Sequence, residues 1–285
     1  MSNKLTPLLL VLFSFFTSLV NAKEIDTTVT ILSNNSSYLF TKEKGTEKII
    51  VKELQKIRYK CSRPTILPIA AYYNENVKIS LFECKINNRK IYQKPTDTYV
   101  SIRDIFYSDS RVSYYELNVP ANGLVDVVIE KSTFNPIYFT SISFIDDYKT
   151  VEREINIKIP KWMNVSFKEY NFNGFNIQKT NAYQEKEDSD LLSYKCLNLV
   201  AYQKEKNSPG STHVYPHLLA LSESKNSIKS GYFSNLQEQY DWYSSLTSTL
   251  NEEKETAIII QAQEITKGIT QGLDKIKAVF YWIQN

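Results

Sequence analysis

Glycine, cysteine and histidine are scarce in this sequence. Its 285 residues include 7 Gly, 3 Cys and 2 His, against 20 Tyr and 14 Phe. Because tyrosine favours strands and glycine favours flexible linkers, this balance is typical of a β-rich chain. Three cysteines without close spacing indicate neither a zinc knuckle nor a framework of several disulfides. Two histidines and scattered carboxylates have no ligand spacing, so the sequence predicts no metal site and no cofactor.

A strong charge of either sign is also absent. The formal net charge is +3 at pH 7, and it falls to about +2 (3 − 1) if the segment that holds Lys4 is removed. Positive and negative residues are interspersed along the rest of the chain. A near-neutral surface of this kind has no electrostatic attraction for nucleic acid or anionic lipid, so neither is a predicted partner.

The one long apolar run lies at the amino terminus. It covers Leu8 to Val20, thirteen positions, behind the positive charge of Lys4. A membrane-spanning helix needs roughly 20 apolar residues, so this run is short for an anchor and typical of a signal peptide. Val20 and Ala22 supply small residues at the −3 and −1 positions of a cleavage site. We predict a signal peptide over residues 1–22, export to the periplasm or cell surface, and no membrane span after cleavage.

Alternation of apolar and polar residues dominates the middle of the chain, between residues 112 and 160. The last of four strand patterns there has its apolar row at Val151, Ile155, Ile157 and Ile159, with Arg153 as the exception. A period of two places one face of a strand on a core and leaves the other in water. We predict an antiparallel β-sandwich over residues 23–203.

The pattern changes to a helical period near Ser234. Apolar residues then recur at intervals of three and four, beginning with Leu236, Tyr240 and Tyr243, and two further helical stretches follow. We predict a linker over residues 204–233 and a helical segment over residues 234–285. The predicted fold class is therefore mainly β, an antiparallel β-sandwich followed by a short α-helical segment.

The cysteines allow two interpretations. A single structural disulfide in an oxidising compartment would join Cys61 and Cys84. Alternatively, all three cysteines are buried free thiols, because Cys84 and Cys196 lie in strand-like apolar runs. Cys196 with His213 or His217 is the only Cys–His pairing at moderate separation in the sequence. A thiol in the middle of a strand lacks the helix N-terminus that would lower its pKa, so we predict no catalytic residue here.

Asp109 and Arg111 are the candidate recognition residues, and they also have two interpretations. They form either a recognition pair in a loop, or a turn cap by Asp109 beside a local salt bridge of Arg111. The pairs Tyr72–Tyr73 and Tyr114–Tyr115 could line a groove for a peptide or a glycan. Because neighbouring residues of a strand point to opposite faces, we expect one member of each pair in the core.

Two separated parts of the chain resemble one composite family. Tyr107–Val112 and Lys149–Pro160 resemble domain-of-unknown-function family 3857, a β-sandwich module of exported bacterial proteins. That module is usually found ahead of a transglutaminase-like domain. Tyr240–Leu246 and Leu273–Asn285 look like the helices that open such a domain.

The resemblance also implies what this sequence leaves out. In the transglutaminase-like cysteine hydrolases and acyltransferases, the catalytic Cys begins a helix some tens of residues beyond the position of Trp282–Asn285, and His and Asp follow. No catalytic residue carries over, so the resemblance implies a truncated, non-catalytic module that is exported and scaffolds or binds an unknown protein, peptide or glycan. The alternative is a self-contained peptide- or glycan-binding protein of the periplasm or cell surface.

Overall fold

The computed structural model describes residues 28–46, 48–100, 109–203, 209–223, 236–247 and 252–284. The predicted signal peptide lies outside these ranges. In chain order the strands are β1 (Val29–Lys42), β2 (Ile49–Cys61), β3 (Thr65–Tyr73), β4 (Val77–Ile86), β5 (Arg89–Lys90), β6 (Thr96–Tyr99), β7 (Arg111–Val119), β8 (Gly123–Thr133), β9 (Ser141–Ser143), β10 (Lys149–Pro160), β11 (Asn164–Tyr170), β12 (Ile177–Gln184), β13 (Ser189–Leu199) and β14 (His217–Glu223). The helices are α1 (Ser211–Val214), α2 (Leu236–Thr247), α3 (Glu252–Ile265) and α4 (Gly272–Gln284).

These strands form one large sheet and two small ones. The main sheet has eight strands in the order β12-β13-β10-β1-β2-β8-β4-β5. Its strand pairs are antiparallel except for β1 and β10, which run parallel. Small sheet one has the order β3-β7-β6, and small sheet two has the order β11-β14-β9. The predicted fold class, a mainly β sandwich followed by short helices, is confirmed.

Both small sheets cover the same face of the main sheet. Strand β2 demonstrates this, because Val51 belongs to one apolar cluster and Ile57 to the other, and residues of equal parity share a face. Core one lies under small sheet one, which contributes Leu67, Ile69 and Leu117 to it. Core two lies under small sheet two and has Leu218 from β14 at its centre. The sandwich is therefore two adjacent cores on one continuous sheet.

Strand β14 corrects the predicted domain boundary at residue 203. It pairs with β11 over its whole length and with β9, so it is the central strand of small sheet two. Leu218 and Ala220 of this strand are buried in core two. The sandwich thus extends to residue 223, into the range that we predicted as a linker, because a short apolar strand beside prolines has too few alternating positions to be distinguished from a connecting loop.

One residue of the apolar row predicted for β10, Val151, does not face the core. Ile155 and Ile157 are buried as predicted, but Val151 is 38% exposed and Arg153 is buried at 3%. The physical reason is a bulge in β1, where the pairing register with β2 shifts between Ile31 and Ser33. A bulge changes which residues face the core. Strand β10 stays in register with β1 and changes parity at the same level.

The described residues of the helices are more exposed than those of the central strands. Helices α3 and α4 contact each other, and no residue of α4 is buried. Gly268, which follows the end of α3 at Ile265, has a positive φ of +80°, a conformation that glycine adopts readily at the end of a helix. Among the described residues, none of the helices is long and apolar enough to cross a membrane.

Candidate functional site

One row of side chains crosses all three strands of small sheet one. Tyr73 at the end of β3 pairs with Arg111 at the start of β7, and Arg111 pairs with Tyr99 at the end of β6. Cross-strand partners point to the same side of a sheet. The register of the β3–β7 and β6–β7 pairs therefore places a cation between two aromatic rings.

The Arg111 guanidinium is held from three directions. Its carbon lies 5.6 Å from the ring centroid of Tyr73 and 4.9 Å from that of Tyr99, both within cation–π range. Its Nη2 donates to Asp97 Oδ1 at 2.7 Å, and the Tyr73 hydroxyl donates to Asp97 Oδ2 at 2.6 Å. The hydrogen bond to Asp97 raises the pKa of the Tyr73 hydroxyl. This arrangement fixes both rings, so they form a preorganised surface.

Asp109 lies beside this row and holds the loop that joins β3 to β4. Its Oδ2 accepts a hydrogen bond from the backbone N–H of Glu75 at 3.1 Å. Within the same loop, Asn74 Oδ1 accepts from the N–H groups of Asn76 and Val77 at 3.0 and 2.9 Å. The geometry of Asp109 and Arg111 therefore matches the cap and salt-bridge interpretation, with one difference: Asp109 caps a neighbouring loop and not its own turn. A recognition role for the pair remains a prediction.

A groove of about 390 Å³ opens next to this row. It is lined by Tyr72, Tyr73, Asn74, Val77, Val100 and Ser110. Its walls are largely apolar and aromatic, with an amide and a hydroxyl as polar groups, which is the composition of a site for a small ligand. Such a surface offers ring faces for stacking on a sugar or a side chain.

The expectation that one tyrosine of each pair is buried holds for only one pair. Tyr115 is buried in core one and Tyr114 is half-buried. By contrast, Tyr72 is 61% exposed and Tyr73 is half-buried, and both line the groove. The reason is that β3 ends at these residues, so the core no longer continues beneath them.

Sequence reasoning did not identify Asp97 and Tyr99 as part of this site. Both lie on β6, a strand of four residues that are all exposed. A strand this short has no apolar alternation to reveal it. Only the pairing register of β6 with β7 brings these two residues to Arg111.

The three cysteines are free and buried, so the structure does not contain the Cys61–Cys84 disulfide, which is one of the two interpretations of the sequence. Cys61 pairs with Gly123 and Cys84 with Val127, so β8 separates the two cysteines and their positions are offset by four residues along it. Two strand spacings alone are about 9.6 Å, more than the roughly 7 Å limit between the Cα atoms of a disulfide. The structure instead contains three buried free thiols, which is the alternative interpretation of the sequence.

Cys196 and the two histidines do not form a reacting group. The Cys196 side chain lies in core two, and its Sγ is 3.9 Å from the carbonyl oxygen of Leu197. His217 stacks on Tyr170 with ring centroids 5.2 Å apart, and its Nδ1 lies 3.1 Å from the carbonyl oxygen of Tyr215. His213 is exposed on α1. Among the described residues, no hydrogen bond joins Cys196 to either imidazole, and no group of three His, Cys, Asp or Glu side chains is placed to hold a metal ion.

No protein-family model matches the chain, and no curated protein matches it. Among solved structures, it is similar to a candidate protease from Parabacteroides distasonis with a TM-score of 0.60 and 13% sequence identity, over 90% of this chain and 50% of that one. The chain spans half the length of that protein, and a likeness at this identity shows the fold alone.

Two weaker likenesses carry no argument. One is to a candidate nutrient-binding protein from Legionella pneumophila, with a TM-score of 0.36 and 7% identity over 68% of this chain and 66% of that one. The other is to a variant of an M1 zinc metallopeptidase from Deinococcus radiodurans, with a TM-score of 0.34 and 6% identity over 68% of this chain and 42% of that one.

Proposed function

We infer that this chain is an exported, non-catalytic β-sandwich module that scaffolds and binds, and that it is part of a transglutaminase-like protein whose catalytic Cys, His and Asp lie outside this sequence. The observation that carries the inference is the contrast between its buried thiols and its preorganised tyrosine groove. The thiols are placed for packing, and the groove is placed for contact with a ligand.

The thiols argue for a packing role because of their pKa. Burial raises the pKa of Cys84 to about 12 and also raises the pKa of Cys61. Burial raises the pKa of Cys196 as well, against a smaller opposing effect of a backbone hydrogen bond of Leu197. A cysteine nucleophile reacts as the thiolate, so a catalytic site lowers this pKa. All three cysteines have the opposite shift.

The helical segment supports the scaffold part of the proposal. Leu273, Ile276 and Phe280 recur at helical spacing on α4, and all three are exposed. An amphipathic helix normally packs its apolar stripe against another surface. The stripe of α4 is suited to receive the remainder of a transglutaminase-like domain, and the fold likeness to a candidate protease of twice the length is consistent with this arrangement.

The groove beside Arg111 supports the binding part. Tyr72 presents an exposed ring, while Asp97 and the Arg111 guanidinium hold Tyr73 in place. Rigid tyrosine rings provide contact area at low entropic cost. We therefore assign the groove to a peptide or glycan of the envelope or the cell exterior.

The test of the binding proposal uses the purified chain and two panels of probes, chito-oligosaccharides and a heptapeptide library. Tyr72→Ala is expected to weaken binding to the recognised probe about tenfold, since it removes one stacking ring. Tyr92→Ala is the matched control, because Tyr92 is 87% exposed and is not one of the residues that line the groove. Equal affinity of the two variants would contradict the groove assignment. Turnover of any amide substrate by the purified chain would overturn the non-catalytic assignment.

A self-contained binding protein is the second candidate, and one observation favours it. The residues that line the groove belong to the strands and loops of the sandwich. The groove therefore needs no helix to form. Thermal unfolding of the chain against a version that ends at residue 235 distinguishes the candidates: mutually dependent unfolding favours the self-contained protein, and independent unfolding of the sandwich favours the module.

A further inference from the structure

Five polar residues separate core one from core two on the covered face of the main sheet. They are Asn34, Ser36, Asp146, Thr150 and Arg153, and we call them the polar junction. Asn34, Ser36 and Thr150 are fully buried, and Arg153 is 3% exposed. Buried polar groups are costly unless hydrogen bonds satisfy them, so their arrangement is informative.

Hydrogen bonds join these residues across large distances in the sequence. Arg153 Nη1 lies within hydrogen-bond distance of Asn34 O at 3.0 Å, Asn34 Oδ1 at 3.2 Å and Ser36 Oγ at 2.9 Å. Asn34 Nδ2 donates to both carboxylate oxygens of Asp146, at 3.0 and 2.9 Å. Thr150 Oγ1 donates to Asp146 Oδ2 at 3.2 Å. The Asn34 amide therefore links the cation of Arg153 to the anion of Asp146.

The polar junction lies where three neighbouring strands change parity together. On one side of this level, Ile31 pairs with Thr150, and Thr150 pairs with Leu199. On the other side, Asn34 pairs with Arg153, and Arg153 with Cys196. All six of these residues are buried, although three positions separate the two rows on each strand. In a regular strand, residues three positions apart point to opposite faces, so each of these strands must change parity between the rows.

The link between β9 and β10 passes between the two cores at the same level. Ile145 packs against core two, and Tyr148 packs against core one with its ring centroid 6.2 Å from that of Tyr59. Asp146, between them in sequence, is the residue that Asn34 binds. Burial raises the pKa of Tyr59 and the charge of Asp146 raises it further, whereas the charge of Arg153 opposes the rise that burial causes in the pKa of Tyr38 in core two. Each core thus lies close to one charge of the polar junction.

We propose that the polar junction couples core one to core two so that both cores open as one unit. The buried apolar residues form two separate clusters. Among the residues that the structure describes, direct packing of buried apolar side chains therefore does not join the cores, and the connection passes through the shared strands β1 and β2 and through the polar junction. A buried, hydrogen-bonded network has the specific geometry that such a coupling needs.

The buried thiols supply a probe of each core. Cys196 reports on core two, while Cys61 and Cys84 report on core one. Labelling of each thiol across a urea gradient, resolved by peptide mass spectrometry and divided by its rate in the unfolded chain, measures the local opening of its core. For the wild-type chain, the three thiols are expected to share one labelling midpoint.

The decisive variant is Asp146→Ala, which removes the anion without touching a strand that carries a cysteine. We expect the normalised labelling rate of Cys196 to differ at least about tenfold from those of Cys61 and Cys84, because the buried Asn34 amide loses its acceptor and the two cores no longer open together. Arg153→Met is the second variant and should separate the same thiols. If Asp146→Ala does not fold, Asp146→Asn keeps the shape and should give a smaller separation of the same sign.

Asp126→Ala is the matched control. Asp126 pairs with Arg58, whose side chain is 51% exposed, so this variant removes a carboxylate that lies in neither core. Its three thiols are expected to keep one midpoint. The proposal is overturned if the wild-type thiols already label at separate midpoints, if the junction variants keep one midpoint, or if the control separates the thiols as well.

Discussion

Strand β10 and helix α4 both have an amphipathic pattern, but of these two elements only β10 has buried apolar residues. Ile155 and Ile157 of β10 are fully buried. On α4, by contrast, Leu273 is 64% exposed and Ile276 is 68% exposed. Burial of apolar side chains is the main favourable contribution to folding, so the two regions contribute very differently to the stability of this chain.

This difference indicates what each region is suited to do. The sandwich closes both of its cores with its own strands, and such a body can hold a groove rigidly. The helices present apolar residues that the described chain leaves in contact with solvent, a composition that usually marks an interaction surface. The contrast supports the proposal of a binding module joined to a helical lead-in, and the following predictions test it.

The largest expected effect comes from truncating one phenylalanine in each region. Phe144 is fully buried and makes edge contacts with Phe172 and Tyr194, with ring centroids 5.3 and 5.9 Å apart. We expect Phe144→Ala to lower the free energy of unfolding by about 3–5 kcal/mol, since it removes buried area and leaves a cavity. Phe280 of α4 is exposed, so Phe280→Ala should change that free energy by less than about 0.5 kcal/mol.

Urea denaturation followed by far-UV circular dichroism measures both values. The comparison between the regions fails if Phe280→Ala costs as much as Phe144→Ala, because a cost of that size requires the α4 stripe to be covered in solution. A tyrosine at position 144 is not a suitable control, since it would bury a hydroxyl, so Phe144→Leu serves as the conservative variant with a smaller loss.

Substitution of alanine for one glycine in each region gives the next largest difference in stability. A Cβ at Gly123, the first residue of β8, would lie 2.6 Å from Val119 Cγ1 and 2.8 Å from the Pro120 carbonyl oxygen in the turn after β7. We expect Gly123→Ala to destabilise the chain by about 1–3 kcal/mol, because the turn must shift. A Cβ at Gly272, at the start of α4, meets no atom within 4 Å. Gly272→Ala should therefore stabilise by about 0.4–1 kcal/mol, and a loss at that position would contradict the open environment of α4.

Much of the fold follows from local patterns in the sequence. The alternation that ends at Val119 and resumes at Val125 predicts the β7–β8 hairpin, and Asn87-Asn88 predicts the turn after β4, where both residues have positive φ. A change of parity in the apolar residues of β4 predicts a bulge near Phe82, and the pairing register shifts between Ile79 and Leu81. Each of these features depends only on residues that are close in sequence.

What the sequence does not reveal depends on distant residues. The burial of Arg153 follows from a bulge in β1, more than 100 positions away. The edge strand β12 is exposed along most of its length, so its mostly polar sequence looks like that of a loop. The candidate site has the same property. Arg111 and Asp109 are conspicuous in the sequence, but their partners come from other parts of the chain: Asp97 from β6 through its register with β7, and Glu75 from the loop between β3 and β4.

The smallest predicted effect concerns pH and again contrasts the two regions. Burial raises the pKa of Glu169 in the sandwich, but hydrogen bonds from Lys179 and from Tyr194, with the charge of Lys179, outweigh this, so the pKa is lowered overall. A carboxyl group with a lowered pKa in the folded state stabilises above its unfolded pKa, and this contribution disappears as the pH falls through the folded value. Because the Glu169 side chain is 33% exposed, the effect is small.

We expect the stability difference between the wild type and Glu169→Gln to be constant at neutral pH and to shrink as the pH falls below about 4.3, the usual pKa of a glutamate. Urea denaturation from about pH 3 to about pH 7 measures the difference, and Gln keeps an acceptor for the Tyr194 hydroxyl. The control is Asp274→Asn on α4, whose partner Lys277 is 3.7 Å away and 56% exposed. An ion pair this exposed contributes little, so its difference should stay flat with pH. Parallel curves for Glu169→Gln and the wild type would show that the charge of Glu169 does not stabilise the sandwich.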